Sequence, residues 1–465
     1  MTKTNRTIAI IGGGFCGMMT AIHLKRLLRG HPVSIMIFTD SELGKGPAYS
    51  TKSGNHLLNV EARNMSAYPD QPGHFTDWLI SENKINDGTD VHQMYAPRKL
   101  YGEYLKAQSD ILLQKDPDID IRIIEHRACF IKHIDGSFKI EAGSETFTSD
   151  YLILATGNNI PSDPKGVPTE FLGSEKYFRN PWTFDPKKIK DQTLPVLIIG
   201  TGLTMVDTLL TLRENGFSGK VTAVSPKGFE ILPHRKYAVV SEIKDELIEP
   251  YRLEELFSLF RKHIRLVRSK GITGEAVVDA VRPFTQTIWK SLDERERKRF
   301  LSHLRHLWGL ARHRLPPSQH EEMKNQLASG LFEIIGGRII DVKETDRIST
   351  IHVCEKNSGN VILIDAGAVV NCTGPATDLN RTEDTFFRSM IQEGLIQPDA
   401  LGIGLIADDC FRPLSSSGTP TQGLYALGSL LKGALWESTA VPELRAQCLK
   451  VARLISETES DSSVD

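Results

Sequence analysis

The sequence predicts an α/β fold with two Rossmann-like dinucleotide-binding domains and a helical insertion. Three observations carry that expectation. An apolar run, Thr7-Ile8-Ala9-Ile10-Ile11, leads into Gly12-Gly13-Gly14-Phe15-Cys16-Gly17 and then a helical stretch from Met18 to Leu28. The plan recurs far downstream, where Pro195-Val196-Leu197-Ile198-Ile199 leads into Gly200-Thr201-Gly202-Leu203-Thr204-Met205 and a helical stretch to Glu214. Two further apolar strands end alike, Tyr151 to Leu154 in Ala155-Thr156-Gly157 and Ala368 to Asn371 in Cys372-Thr373-Gly374. Strand–glycine turn–helix–strand units belong in parallel sheets, because their crossovers are right-handed.

The elements follow in order. Val33 to Phe38 is the second strand of the first unit, and Val221 to Val224 closes the second. Pro161 to Pro195 is rich in Pro, Asp and Lys and reads as linker. Leu247 to Leu327 has helical periodicity, as at Leu253, Leu256, Phe257 and Phe260, and Phe332 to Val342 returns to strand. The expected boundaries are 1–185 and 379–465 for the first dinucleotide domain, 190–235 and 330–378 for the second, and 236–329 for the insertion. Ser456 to Asp465 is acidic and Ser-rich and reads as a disordered tail.

Composition narrows the function. The 465 residues allow two or three domains, and 40% apolar with 25% charged residues is the profile of an ordinary globular chain. With 56 Lys+Arg against 58 Asp+Glu, nucleic acid and anionic membranes are poor partners. No run of ~18 apolar residues is present, and Met1 to Thr7 lacks the apolar region of a signal peptide. Cys16, Cys129, Cys354, Cys372, Cys410 and Cys448 form no C-x-x-C pair, which argues against structural zinc and a dithiol motif and for reduced thiols in the cytoplasm.

Each glycine of Gly12-x-Gly14-x-x-Gly17 has a task. The first permits the tight turn, the second lets a pyrophosphate approach the backbone, and the third lets helix and strand pack closely. The helix N-terminus then turns its free N–H groups toward the phosphates. The fingerprint expects an acid at the end of the second strand, but Phe38 stands there and Asp40 comes two residues late. Either Asp40 binds the ribose from a displaced position, or Phe38 packs on the adenine, or Asp40 caps the turn. In the second unit Met205 replaces the third glycine, so that helix is expected to sit off its strand. Its closing strand ends in Ser225 without a carboxylate, and Lys227, His234 and Arg235 follow. A cation suits a 2′-phosphate, so NADPH is favoured over NADH there, with a solvated basic loop as the alternative.

At this point a resemblance enters. The first elbow, Gly44-Lys45-Gly46-Pro47-Ala48-Tyr49, His56-Leu57-Leu58-Asn59-Val60, Tyr68-Pro69-Asp70, Gly73-His74-Phe75 and Ala96 to Leu105 resemble the N-terminal signature of a bacterial FAD/NAD(P)-binding family. The turn from Gly200 to Asp207 and the runs Leu424 to Gly428 and Trp436 to Glu443 fit the same pattern. That family is similar to flavin-dependent N-hydroxylating monooxygenases, including aspartate N-monooxygenases that form nitrosuccinate. The resemblance implies FAD on the first elbow, with Leu58, Asn59 and Val60 near the flavin. It also implies that Gly428, Ser429, Trp436, Thr439 and Val441 return to cover it. Ser429 stands where many such flavoproteins carry a ribityl-binding Asp, and a hydroxyl bonds more weakly than a carboxylate.

The remaining candidates carry two readings each. Arg98 either binds an FAD phosphate or ribose, or pairs with Glu103 or another surface acid. His56 and His74 are flavin neighbours or structural histidines, and His56 is also a substrate-binding candidate. Arg305 and Arg312, in a basic stretch with Arg295, Arg297, Lys298, Arg299 and Arg314, suit an acidic substrate or NADPH phosphates, or form a solvated face. No catalytic side chain is assigned, because a flavin carries the chemistry. The leading expectation is an FAD- and NADPH-dependent monooxygenase using O2 on a small polar substrate, such as the amine of an acidic amino acid. Its rivals are a reductase serving a quinone or protein acceptor, and a non-enzymatic flavin-holding redox sensor.

Overall fold

The computed structural model describes residues 6–85, 88–237, 240 and 242–461. Two parallel sheets organise them. The first has five strands in the order Leu424–Ala426, Tyr151–Leu154, Arg6–Ile11, Val33–Phe38, Ile119–Ile124, all parallel. The second runs Tyr177–Phe178, Ala368–Asn371, Val196–Ile199, Val221–Ser225, Phe332–Glu344 in parallel, and two antiparallel strands, Ser349–Glu355 and Val361–Ala366, extend its far edge. The arrangement is the same in both. The strand before the elbow is central, the strand ending in Thr-Gly lies on one side, and the strand after the elbow helix lies on the other. Val33–Phe38 and Val196–Ile199 are buried at every residue, as expected of parallel strands covered by helices on both faces.

The first core draws on Ile8 to Ala155 and again on Leu379 to Ile455, so the first unit is discontinuous in sequence. The second core spans Ile189 to Cys372. Within that span, between Ile231 and Leu315, lie the helices Leu253–Ser269, Glu275–Val281, Thr285–Ser291, Glu294–His303 and Arg305–Arg312. Their own apolar clusters centre on Val277 and Val281 and on Leu253 and Leu256. A further cluster joins Trp289 of the insertion to Ile403 and Trp436 of the first unit.

Three expectations are corrected here. Tyr177–Phe178, inside the span assigned to the first domain, pairs with Ala368–Asn371 in the second sheet. The helix Pro317–Ala328, assigned to the insertion, buries Met323 in the second core beside Leu315. The acidic tail is helical through Asp461, and residues 462–465 lie outside the described residues. Glu459 accounts for that helix's extension, since it accepts hydrogen bonds from Tyr151 Oη (2.7 Å) and Arg6 Nε (3.1 Å). Among the described residues no helix is long and apolar enough to cross a membrane.

Candidate nucleotide sites

The two elbows share their geometry as well as their sequence. Gly12 has φ +107° and donates its N–H to Phe38 O (2.9 Å), and Gly200 has φ +112° and donates to Val224 O (2.7 Å). A Cβ on Gly12 would lie 2.3 Å from Ala155 O, and one on Gly200 would lie 2.4 Å from Cys372 O. Only glycine combines that dihedral with that approach. The strands ending in Thr-Gly therefore wall each elbow, and glycine lets the turn pass over their last carbonyl.

Gly14 and Gly202 cap the two elbow helices in extended conformations, with no side-chain cap and no acid in the first turn of either helix. A Cβ on Gly202 would meet nothing within 4 Å, and one on Gly14 only Gly46 Cα at 3.9 Å. Open backbone N–H groups at an uncapped, acid-free helix start fit a pyrophosphate. Phe15 is buried in the first helical turn, and Gly17 packs so tightly that a Cβ there would lie 1.9 Å from Gly12 O. Met205 instead points into the second core at 1% exposure, and its N–H donates to Gly202 O (3.0 Å) in a tight first turn. Leu203 and Thr204 begin that turn, and Thr204 O accepts from Thr208 Oγ1 (2.8 Å).

The tips of the second strands settle what stands where an acid was expected. Phe38 is 1% exposed and meets Phe147 edge-on at 5.2 Å, so it is a core residue and does not stack on adenine. Asp40 faces Arg127 across 3.9 Å at the surface. Thr39, which sequence reasoning passed over, lies where a Cβ on Gly13 would come within 2.7 Å, so its hydroxyl stands at the elbow. In the second unit Ser225 Oγ bonds Thr201 Oγ1 (2.9 Å) and accepts the Gly228 N–H (3.1 Å). Lys227 is exposed beside it. Arg235 is tied to the buried Glu275 (2.7 Å), so the insertion holds it and it is not free beside Lys227.

Several residues assigned to cofactor or substrate instead join the two units. Arg98 bonds Leu57 O (3.1 Å) and pairs with Asp207 of the second elbow helix (3.2 Å), both side chains being nearly buried. Glu103 meets Lys84, not Arg98. His56 Nδ1 meets Thr51 Oγ1 (2.8 Å), and its Nε2 faces Asp207 O (3.0 Å) and Thr211 Oγ1 (2.9 Å), so both ring nitrogens are engaged and it is not placed for substrate. Asn59 O accepts from His234 Nε2 (2.9 Å), and Asn55 O accepts from Gln319 Nε2 (2.7 Å). Leu58 is buried, with its N–H on Ala96 O (2.9 Å), and Val60 packs on the first core. Residues 55–60 thus form a strap across the units. Burial raises the Asp207 carboxyl above its ordinary range, against the pull of Arg98. His74 bonds Tyr104 Oη (2.8 Å), a structural contact.

The C-terminal return closes on the first elbow. Gly428 donates its N–H to Gln447 Oε1 (2.9 Å), and a Cβ on it would lie 3.7 Å from Cys16 Sγ. Ser429 Oγ donates to Gly157 O, beside Thr156, whose buried hydroxyl has no partner among the described residues. Gly157 and its counterpart Gly374 have open space around them. Val441 is buried at the start of the last helix, whereas Thr439 is exposed. Trp436, at φ +61°, stacks on Trp289 with centroids 5.1 Å apart. Arg312 is nearly buried and faces Glu437 across 3.6 Å, with its Nε unpartnered among the described residues, so it is no part of a solvated face, while Arg305 is exposed.

Comparison with known proteins agrees with this architecture. Residues 9–159 match a family described as FAD-NAD(P)-binding. Bacilliredoxin reductase Bdr of Bacillus subtilis (strain 168) is 26% identical over 238 residues, which is 50% of this chain and 61% of that protein's length. Among solved structures, the Kutzneria sp. 744 ornithine N-hydroxylase with reduced FAD, NADP+ and L-ornithine aligns at TM-score 0.67 and 13% identity, over 98% of this chain and 100% of its own. L-lysine 6-monooxygenase from Pseudomonas syringae aligns at TM-score 0.68 and 14% identity, over 98% and 99%. Bacillithiol disulfide reductase Bdr from Bacillus cereus aligns at TM-score 0.56 and 15% identity, over 98% and 100%. Taken with the paired elbows, these matches show that the chain has a two-dinucleotide-binding flavoprotein fold, with an FAD-NAD(P)-binding segment over residues 9–159.

Proposed function

We propose that the chain is an FAD- and NADPH-dependent monooxygenase that hydroxylates the amine of a small acidic amino acid such as L-aspartate. The observation that carries this reading is the pair of matching elbows held in one orientation by polar contacts, the nearly buried Arg98 with Asp207 and the half-buried His56 with Thr211. FAD, when bound, supplies a two-electron carrier that NADPH reduces and O2 reoxidises. The chain's own residues do the rest. The first turns of the two elbow helices hold the pyrophosphates by backbone N–H. Thr39 and Ser225 stand at the strand tips with their hydroxyls bonded to Ser41 and to Thr201 and Gly228, so they line the ribose ends without a carboxylate, and Lys227 neutralises a 2′-phosphate. The Trp436 segment and the insertion, packed together through Trp289, shield the reacting atoms from water. The N-hydroxylating relatives support the amine as the site of oxygen insertion.

The relationship to bacilliredoxin reductase favours a second reading, a reductase serving a disulfide or quinone acceptor. Stoichiometry separates them. The flavin-loaded protein is expected to consume one O2 and one NADPH per hydroxylated L-aspartate, with little peroxide released. Turnover that persists with oxygen excluded, on a disulfide or quinone, would establish the reductase. NADPH preference is checked separately. Lys227→Ala is expected to raise KM for NADPH about tenfold more than for NADH. Arg235→Ala, whose guanidinium is held by Glu275, is expected to change both alike. A selective NADPH loss in Arg235→Ala alone would return the assignment to that residue.

A further inference from the structure

The turn at Trp436 is strained, and what surrounds it points to a ligand. Trp436 has φ +61° and ψ −68°, and the Glu437 N–H donates to Leu435 O (2.8 Å), closing a γ-turn of the sign that bulky residues avoid. Such strain persists only where neighbours over-determine it, and it concentrates at functional sites. The neighbours here are explicit. The Trp436 ring stacks on Trp289 and meets Phe300 edge-on, each at 5.1 Å. Trp289 Nε1 donates to Gly433 O (2.7 Å), and Gln286 Nε2 to Glu437 O (2.7 Å). Held this way, the turn aims Glu437 at Trp308 Nε1 (2.8 Å) and Arg312 (3.6 Å).

Four buried polar atoms of this region have no partner among the described residues: Arg312 Nε, Ser438 Oγ, Trp436 Nε1 and Glu443 Oε2. Buried polar groups are rarely left so, and here they cluster. The Arg312 side chain is 9% exposed, and Ser438 is fully buried.

Charge identifies the ligand. Arg282 pairs with Glu443 (2.8 Å) and Arg312 with Glu437, but Lys432 and Arg305 have no carboxylate partner among the described residues. Lys432 lies 5.1 Å over the Trp436 ring. Its ammonium is held below the ordinary lysine range, first by burial and then by Arg305, against the weaker pull of Glu437. Two neighbouring acids are engaged elsewhere, Asp279 by Arg314 (2.6 Å) and Asp399 by the Leu401 N–H (2.9 Å). Cations therefore outnumber their ion-paired carboxylates around the turn, an excess that an anionic ligand would reduce. The cluster begins three residues beyond Ser429, on the chain that has just left the first elbow.

We propose that Lys432, Arg312 and Ser438, set around the strained Trp436 turn, form the receptor for the carboxylates of a dicarboxylate substrate, with Glu443 accepting from its ammonium. The proposal rests on the amino-acid hydroxylase reading for the identity of the substrate, but the receptor is tested by binding alone. Succinate is the probe, titrated into the flavin-loaded protein and followed by tryptophan fluorescence and calorimetry. Succinate is expected to bind at least tenfold more tightly than butyrate. Lys432→Met is expected to weaken succinate at least tenfold, and Lys432→Arg less than threefold. Ser438→Ala, which leaves every charge in place, is expected to weaken it severalfold with an unchanged flavin spectrum. Equal affinity for succinate and butyrate, or succinate binding unchanged in Lys432→Met, would overturn the proposal. Succinate binding that depends on Lys432, without oxygen-coupled turnover of L-aspartate, keeps the receptor and removes the hydroxylase. Coupled turnover that Lys432→Met leaves untouched does the reverse.

Discussion

His23 lies in the first elbow helix at 2% exposure, edge-on to Tyr68 at 6.1 Å, with Nε2 unbonded among the described residues. Burial lowers its pKa to about 4, and Arg26 adds to the effect. The sign follows from linkage. Above the unfolded value of 6.5 the ring is neutral in both states, and its contribution to stability is fully present. Between 6.5 and about 4 the unfolded chain takes up a proton that the folded chain refuses, so stability falls with pH by on the order of 3 kcal/mol. Thermal melts from pH 7 to 4 are expected to show a steeper loss for the wild type than for His23→Leu, and parallel profiles would contradict this. Residue roles were the least legible level of the sequence. Arg98, His56 and Arg312 were recognisable as unusual, but their partners Asp207, Thr211 and Glu437 lie more than a hundred residues away. A local pattern holds no information about such pairings. Phe38 misled for a related reason, since it is covered by Phe147, a residue of a separate three-stranded sheet.

At the scale of elements the sequence was far more informative, because an elbow's requirements are local. A positive φ and a carbonyl 2.3–2.4 Å from the Cβ position admit only glycine, so the constraint is written directly into the chain. Gly200→Ala is expected to abolish NADP+ binding while leaving the flavin spectrum intact, and Gly12→Ala to give colourless protein. Retention of NADP+ affinity within twofold in Gly200→Ala would show that the second elbow does not hold that nucleotide. Short strands were harder to read. Tyr177–Phe178 has two residues and sits in a stretch rich in Pro and Lys, so no periodicity could develop, and pairing with Ala368–Asn371 alone makes it a strand.

Across the whole molecule, the strap at residues 55–60 and Arg98 hold the two units together. Arg98→Met would leave the Asp207 carboxylate buried without its cation, at about 3–5 kcal/mol. Adding Asp207→Asn is expected to recover most of that loss in a double-mutant cycle read by urea unfolding. Additive losses would mean that the pair is not coupled. The sequence made the division into two units legible through their repeated plan. It could not show this interface, which forms only when both are folded.

The chain order of the strands has a consequence for synthesis. The second sheet has all its strands once residue 371 is made, whereas the first waits for Leu424–Ala426 and for the final helix that seals it. On the ribosome the second unit is therefore completed while the earlier-made first unit still lacks an edge. The N-terminal unit, first to emerge, is the last to close.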